Sequence, residues 1–237
     1  FVQISDENVH LVRCVMDEVF GSENFLSLIT FVKTTGDTSG LLSSVSDYVI
    51  WYAKNKPSVK YRPLFQTKAV GGPGAGEYVW LKLPDGSERT LTSEEKDNPN
   101  LIPRDARVFR HDSMVSQGFR QFTTVSYNFQ GKDHHPGANN NWKTTVQGLD
   151  RLGMLDRLVS SGRILKYKRF LDDFPVFPLG NNWTDTTTGG SSADPRVYVV
   201  QTVSRVIQRC ILMTTDPGDL VLDPTCGSGT TAYVAEQ

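Results

Sequence analysis

The sequence predicts an α/β protein, a doubly wound sheet interrupted by an irregular, partly β insertion. Three observations predict it. Short apolar strand patterns alternate with helical stripes toward both ends of the 237 residues. Between them helical periodicity fades, and proline and glycine become frequent. Last, an acid, a glycine loop and a helix start follow one another in Asp223-Pro224-Thr225-Cys226-Gly227-Ser228-Gly229-Thr230-Thr231. Many α/β proteins hold an adenosine-containing cofactor with that succession.

Taken in order, Phe1-Val2-Gln3-Ile4 reads as the end of a buried strand. Ser5-Asp6-Glu7-Asn8 follows as a helix start, with acids in the first turn. Val9, Val12, Met16 and Val19 recur at helical spacing, widened by Leu11, Val15 and Phe20, until Gly21 stops the helix. Phe25 to Lys33 and Asp47 to Lys54 read as strands, with the polar stretch Thr34 to Ser46 between them. That pattern predicts an antiparallel pair at a sheet edge. Tyr78 to Ser87 reads as a strand running into a turn, Thr92 to Ile102 as polar and acidic, and Asp133 to Asn141 as a loop. Leu149, Leu152, Leu155 and Leu158 predict a helix within Val146–Val159. Beyond Pro195, the stripe Val199, Val203, Val206, Ile207, Cys210 and Ile211 predicts a helix that ends at the turn Asp216-Pro217-Gly218-Asp219. Leu220-Val221-Leu222 then reads as the strand that carries the glycine loop.

The expected division is 1–56, 57–178 and 179–237, the two outer segments sharing one sheet. A chain that opens on Phe1 and closes six residues after the loop reads as the middle of a longer protein.

Hydrophobic content of 38% and charged content of 22% are those of an ordinary globular protein. No apolar run approaches the roughly 20 residues that cross a bilayer. Cys14, Cys210 and Cys226 are odd in number and have no CxxC spacing. That argues against a disulfide framework or zinc knuckle and fits a reducing cytoplasm. Residues 54–173 hold 20 of the 25 Lys/Arg but 13 of the 26 Asp/Glu. A basic middle between acidic ends fits a module facing a polyanion, or an unevenly charged solvated surface.

The loop is not a P-loop, because no lysine follows Gly229. It fits the dinucleotide pattern GxGxxA, whose ribose-binding acid would lie about 20 residues further on. It fits equally a site for another adenosine cofactor.

Asp-Pro-Thr-Cys-Gly-Ser-Gly-Thr-Thr after a strand pattern resembles the cofactor loop of the DNA amino-methyltransferases, which methylate adenine N6 or cytosine N4. The order found here resembles their permuted β class: catalytic half, target-recognition insertion, S-adenosylmethionine half. Ser46 to Asn55 resembles a late strand of that sheet, one that ends near the target-base pocket. Ser161-Gly162-Arg163-Ile164 and Asn182-Trp183-Thr184-Asp185 are similar to the close of the recognition insertion in type III modification subunits.

The resemblance implies a Rossmann-like methyltransferase sheet, S-adenosylmethionine as cofactor and double-stranded DNA as partner. Adenine N6 is favoured as target, and the parent protein would be a homodimer or pair with a restriction subunit. It implies cofactor contacts from Asp223, Pro224, Thr225, Cys226, Gly227, Ser228, Gly229, Thr230 and Thr202. The family's Asp/Asn/Ser-Pro-Pro-aromatic tetrapeptide has no counterpart here, since the chain contains no Pro-Pro pair. No catalytic residue is therefore assigned, and the chain is expected to be inactive alone. The family often has Lys-Pro where Gln201-Thr202 stands.

Two rivals remain: a fragment of an NAD(P)-dependent oxidoreductase and a non-catalytic DNA-binding module. For DNA contact the candidates are Lys132, His134, His135 and Lys143, with Trp142 beside them, and the cluster Arg163, Lys166, Lys168 and Arg169. A solvated strand face explains that cluster equally well. Asp133, His134 and His135 lack the further ligands a metal requires. Cys226 reads as a small packed residue rather than a nucleophile. Tyr48, Trp51 and Tyr52 read as core aromatics, or as one wall of a base pocket.

Overall fold

The computed structural model describes residues 1–34, 36, 41–162, 164–187 and 202–237. It divides into two compact units, unit 1 comprising 1–65 and 178–237 and unit 2 comprising 66–177.

Unit 1 opens with β1 (Val2–Ile4), α1 (Val9–Phe20), β2 (Phe25–Val32) and β3 (Ser46–Tyr52). Helix α1 begins later than Ser5. Asn8 is its N-cap, its first turn holds no acid, and Asp6 and Glu7 lie in the preceding turn. Gly21 ends it with φ +83°, a left-handed-side conformation that glycine adopts without a Cβ penalty. Tyr52 donates its hydroxyl to Asp17, and the Arg13 side chain also bonds that carboxylate at 3.3 Å. The Tyr52 bond, joined by Arg13, holds Asp17 below the usual carboxylate range. Val9, Val12 and Met16 are half-buried, but Val19 of the expected stripe faces solvent with Leu11 and Val15.

The pair β2 and β3 is antiparallel, but β3 is interior rather than at an edge. The sheet order is β1-β3-β2, followed by a short outer strand introduced below. Strand β3 runs against both neighbours, pairing Tyr48 with Ile4 on one side and with Thr30 on the other. Val49 and Ile50 point to opposite faces and both are buried, so the sheet is covered on both faces there.

The chain then passes β4 (Phe65–Thr67) into unit 2. There β5 (Trp80–Lys82), β6 (Glu88–Thr90) and β7 (Arg107–Ser113) precede β8 (Val115–Gln117), β9 (Tyr127–Phe129), β10 (Lys132–His134) and β11 (Asn140–Trp142). Helix α2 (Ser93–Asp97) lies between β6 and β7 and is nucleated by a capping box. The Thr92 hydroxyl accepts from Glu95 N–H, and Glu95 accepts from Thr92 N–H. Arg89 clamps the same carboxylate at 2.6 and 2.7 Å, which, with the Thr92 bond, lowers the Glu95 pKa to about 2.

The expected loop Asp133–Asn141 contains parts of two strands, because the hairpin partners needed to see them lie elsewhere in the sequence. Asp133 pairs with Asn128, and Asn141 with Ser116. The leucine stripe also divides. Helix α3 (Val146–Met154) takes Leu149 and Leu152, while Leu158 opens β12 (Leu158–Ser161). Asp156, at φ +53°, turns the chain between them. Strand β13 (Ile164–Phe170) completes the five-stranded order β12-β13-β7-β5-β6, and β14 (Val176–Pro178) leads out of unit 2.

Unit 1 resumes with β15 (Asn182–Trp183), which adds parallel to β2. It continues with α4 (Ser204–Thr214) and α5 (Thr230–Ala235). Val206, Cys210 and Met213 of α4 pack on Ile29, Phe31, Val49 and Trp183. Burial pushes the Cys210 thiol up to about 12. Arg209 grips Asp185 through two bonds of 2.8 and 2.6 Å, holding α4 to the segment after β15. Val199, also in the expected stripe, lies outside the described residues.

Leu220-Val221-Leu222 does not form a strand. Among the described residues no strand lies beside it to complete a ladder, and extended backbone without a partner gains nothing from β geometry. Leu220 is 95% exposed and Leu222 83%. No helix of the described residues is long and apolar enough to cross a membrane.

Candidate cofactor loop and nucleic-acid interface

The glycine loop is built around Asp223. Its carboxylate accepts from Thr225 N–H at 3.0 Å and from the Thr231 hydroxyl at 2.6 Å, so it bridges the start of the loop to the first turn of α5. The Thr231 bond, aided by Thr225, holds Asp223 below the usual carboxylate range. Gly227 and Gly229 adopt φ +48° and +76°, and Gly229 N–H bonds Cys226 C=O at 2.7 Å. Apart from its chain neighbours, nothing lies within 4 Å of where a Cβ on Gly229 would stand. Glycine is thus required there by the backbone conformation, and the space in front of it stays open for a ligand. Ser228 and Thr230 share a hydroxyl bond of 2.6 Å.

Cys226 is exposed rather than packed, since among the described residues no strand lies beside the turn to shelter it. The turn before the loop is anchored from Lys60, which bonds Asp216 at 2.5 Å and Asp219 at 2.6 Å, and from Arg62, which pairs with Asp216. Thr202 donates its hydroxyl to the Gln3 side chain on β1. Gln201 lies outside the described residues.

In an α/β sheet, ligands gather beyond the carboxyl ends of the parallel strands. The carboxyl end of β1 meets the start, not the finish, of β3. Tyr48 therefore stands level with Ile4 and Thr30, and Asp47 bonds Lys33 at 2.8 Å. Ser44 donates to Asp6 at 3.3 Å at the same end. Trp51 and Tyr52 stand at the other end, beside a cleft of about 540 Å³ lined by Phe1, Lys54, Asn55, Lys60 and Thr214. Trp51 packs between the rings of Phe1 and Tyr61 at 5.2 and 5.8 Å. The first residues of β3, rather than its last, therefore lie at the carboxyl end of β1.

In unit 2 the basic candidates separate into enclosed and outward-facing groups. Lys168 is 4% exposed and bonds Glu88 at 2.5 Å and Asp156 at 3.1 Å. A buried ammonium requires such partners, so Lys168 is structural and does not reach a phosphate. His134 is 1% exposed, with Nε2 3.4 Å from the Ser160 hydroxyl. Trp142 is equally enclosed and donates Nε1–H to Val125 C=O at 2.8 Å. Arg169 and Lys143 both approach Asp112, at 3.6 and 4.0 Å. Lys132 and His135 are exposed, and Lys166 is half-buried on β13. Arg163 lies outside the described residues. Among the described residues no cluster of His, Cys, Asp or Glu could hold a metal ion.

Sequence reasoning overlooked the Asp112 network. Asp112 bonds Arg110 at 2.7 Å and receives the Tyr167 hydroxyl at 3.4 Å. The strand pairing Tyr167↔Asp112 that unites them links distant segments. It also overlooked Phe119 and Phe122, which are 67% and 81% exposed on either side of Arg120. Their signal, an aromatic–basic–aromatic run just after Gly118, is local and was legible.

A protein-family model described as DNA methylase, for the N6 and N4 enzymes, matches residues 1–237. The chain belongs to this DNA methylase family. It is 25% identical over 239 residues to the type II methyltransferase M.EcaI of Enterobacter cloacae, a match covering 99% of this chain and 47% of the relative. It is 21% identical over 282 residues to the probable type III restriction-modification enzyme HindVI Mod subunit of Haemophilus influenzae, covering all of this chain and 38% of that protein. A shorter match, 38% identical over 63 residues, joins 25% of the chain to 18% of the type II methyltransferase M.BglII of Bacillus subtilis. The methylase chain thus spans less than half the length of these curated relatives. Family membership removes the oxidoreductase reading and implies a methyltransferase fold.

Proposed function

We propose that this chain supplies the cofactor-binding and DNA-reading parts of a site-specific DNA methyltransferase acting on an exocyclic amino nitrogen, adenine N6 in preference to cytosine N4. Unit 1 would hold S-adenosylmethionine, with 1–56 and 179–237 as the two halves of a permuted Rossmann-like sheet. Unit 2 would read double-stranded DNA, within the segment expected at 57–178. A homodimer or a restriction subunit as partner, and a cytoplasmic location, belong to the same reading.

The observation that carries it is the Asp223 loop. Its carboxylate is an acceptor held ionised by Thr231 and Thr225, and Gly229 has open space before it. Those features fit an adenosine cofactor with hydroxyl and ammonium donors. Asp223, Ser228 and Thr230 would bind the cofactor, with the backbone of Gly227 and Gly229 lying against it. Pro224, Thr225 and Cys226 shape the turn, and Thr202, held on β1 through Gln3, would flank it. S-adenosylmethionine, when bound there, would supply an electrophilic methyl group for an exocyclic amino nitrogen. The residues that receive the flipped amino group are not assigned in this chain, which has no Pro-Pro pair. Of the outward-facing basic residues, Lys132, His135, Lys143, Lys166 and Arg169 would contact the DNA backbone.

Calorimetry with S-adenosylmethionine tests the loop. The wild-type chain is expected to bind it. D223A, a variant in an exposed loop, is expected to weaken binding at least tenfold with little change in melting temperature. Saturable DNA binding by a folded chain with no cofactor affinity would favour the non-catalytic DNA-binding module instead.

A further inference from the structure

Residues 118–125 of unit 2 form a loop whose backbone is fixed while its two phenylalanine side chains are turned outward. Gly118, at φ +96°, starts it, and its N–H bonds Asn139 C=O at 2.9 Å. The enclosed Asn141 donates its amide to the carbonyls of Gln117 and Gly118 at 3.2 and 2.6 Å. Arg120 C=O accepts from the N–H groups of Thr123 and Thr124 at 3.0 and 2.8 Å. Arg120 N–H bonds the Thr124 hydroxyl at 3.0 Å, and that hydroxyl donates to Asn140 C=O at 2.6 Å. Trp142, in the core, ties down the far side through Thr123 C=O and Val125 C=O, each at 2.8 Å.

A loose loop would fold two phenylalanines back onto the core. This one cannot, and Phe119 and Phe122 remain 67% and 81% exposed. Neighbouring apolar side chains that a fixed backbone holds in water mark a contact surface. Arg120 is exposed between them, and no carboxylate lies within ion-pair distance of it among the described residues.

We infer that Phe119, Arg120 and Phe122 form a wedge that enters double-stranded DNA, the two rings stacking against unstacked bases and the guanidinium meeting the backbone. The inference rests on the DNA-methyltransferase reading and extends it. Three observations favour DNA over a protein partner. Arg120 falls between the two phenylalanines in the sequence, a mix of aromatic and basic side chains of the kind that stacks on bases. The loop lies in the part of the chain that holds 20 of the 25 Lys/Arg. The loop is fixed before any partner arrives, as a wedge that must part stacked bases requires. Enzymes that act on a base extrude it, and the gap left in the stack is the place two such rings would fill.

The test is fluorescence anisotropy of the chain with two labelled duplexes of about 30 base pairs, one intact and one with a central abasic site, across a salt series. The wild type is expected to prefer the abasic duplex, where unstacking is already done. F119A/F122A should lose at least about fivefold in affinity for it, the order expected for a stacked base, with an unchanged salt slope. F119Y/F122Y, which keeps the rings, should retain the preference, and R120A should lower the slope by about one. Because all three side chains are exposed, melting temperatures should hold.

A wild type that binds duplex DNA while F119A/F122A binds both duplexes as tightly as it does overturns the wedge and leaves the methyltransferase reading standing. A wild type that binds S-adenosylmethionine but no duplex overturns the DNA-reading role of unit 2 and the wedge with it. Loss of a self-associated species in F119A/F122A during sedimentation, with DNA binding unchanged, would make the patch a contact between copies and also overturn the wedge.

Discussion

In unit 2, Leu81, Phe109, Leu149 and Leu165 are wholly enclosed, whereas in unit 1 Leu11, Val15, Val19, Leu220 and Leu222 stand largely in solvent. Unit 2 has two core clusters on its sheet, one around Met114, Trp142 and Leu149 and one around Tyr78, Leu81 and Val108. Among the described residues, unit 1 has a single cluster on one side of its sheet, between α4 and Trp183. The units also use charge differently. In unit 2, ion pairs reach into enclosed positions, as at Lys168 and Glu95. In unit 1 they fasten segments at the surface, as at Lys60 and Asp216. A buried charge must be matched on the spot, while a surface pair is screened and contributes little. The stability of unit 2 should therefore respond sharply to single substitutions at which the helix surface of unit 1 is indifferent.

The largest expected effect is W142A. It empties an enclosed site and removes the bond to Val125, so unit 2 should lose roughly 3–5 kcal/mol. Hydrogen exchange should show amides within 115–170 opening while Ile29 and Val49 keep their protection. Loss of protection in both units together would break the contrast.

Next comes the Lys168 site. E88Q/D156N strands the ammonium and should cost about 2–3 kcal/mol in urea unfolding. K168M, which removes the charge as well, should cost under about 1 kcal/mol. If K168M proved the worse of the two, the ion pairs would be net stabilising, and the comparison would have to be redrawn.

The smallest effect is V15S/V19S on α1. With both side chains exposed, the melting curve should shift by no more than about 0.5 kcal/mol. A loss above 2 kcal/mol would mean that this face is covered in solution.

Much of unit 1 was legible because its signals are local. The stripe of α4, the strand patterns of β2 and β3, and the glycine loop each depend on neighbours within about ten residues. What escaped depends on pairing across the sequence. That β3 lies between β1 and β2 follows from partners at Ile4 and Thr30, which no pattern inside Ser46–Tyr52 announces. Leu220 to Leu222 has a strand's composition but no ladder beside it. Lys168 and His134 looked like solvent-facing cations until strand pairing enclosed them. In the candidate site, the glycines and Asp223 could be read from type and spacing. Which lysines face outward could not, since period-2 alternation fixes a face only once the core side of the sheet is known.

The cysteines give the glycine loop a reporter of its own. Burial pushes the Cys210 thiol up to about 12 and places it inside the α4 contact, so a mild alkylating reagent passes it by. Cys14 and Cys226 are open to the same reagent. With Cys14 replaced by serine, covalent labelling becomes a clock on one residue in the middle of the turn between Asp223 and Gly229. The rate at which that turn is shielded or uncovered can then be followed by mass, without a radioactive methyl donor or a known recognition sequence.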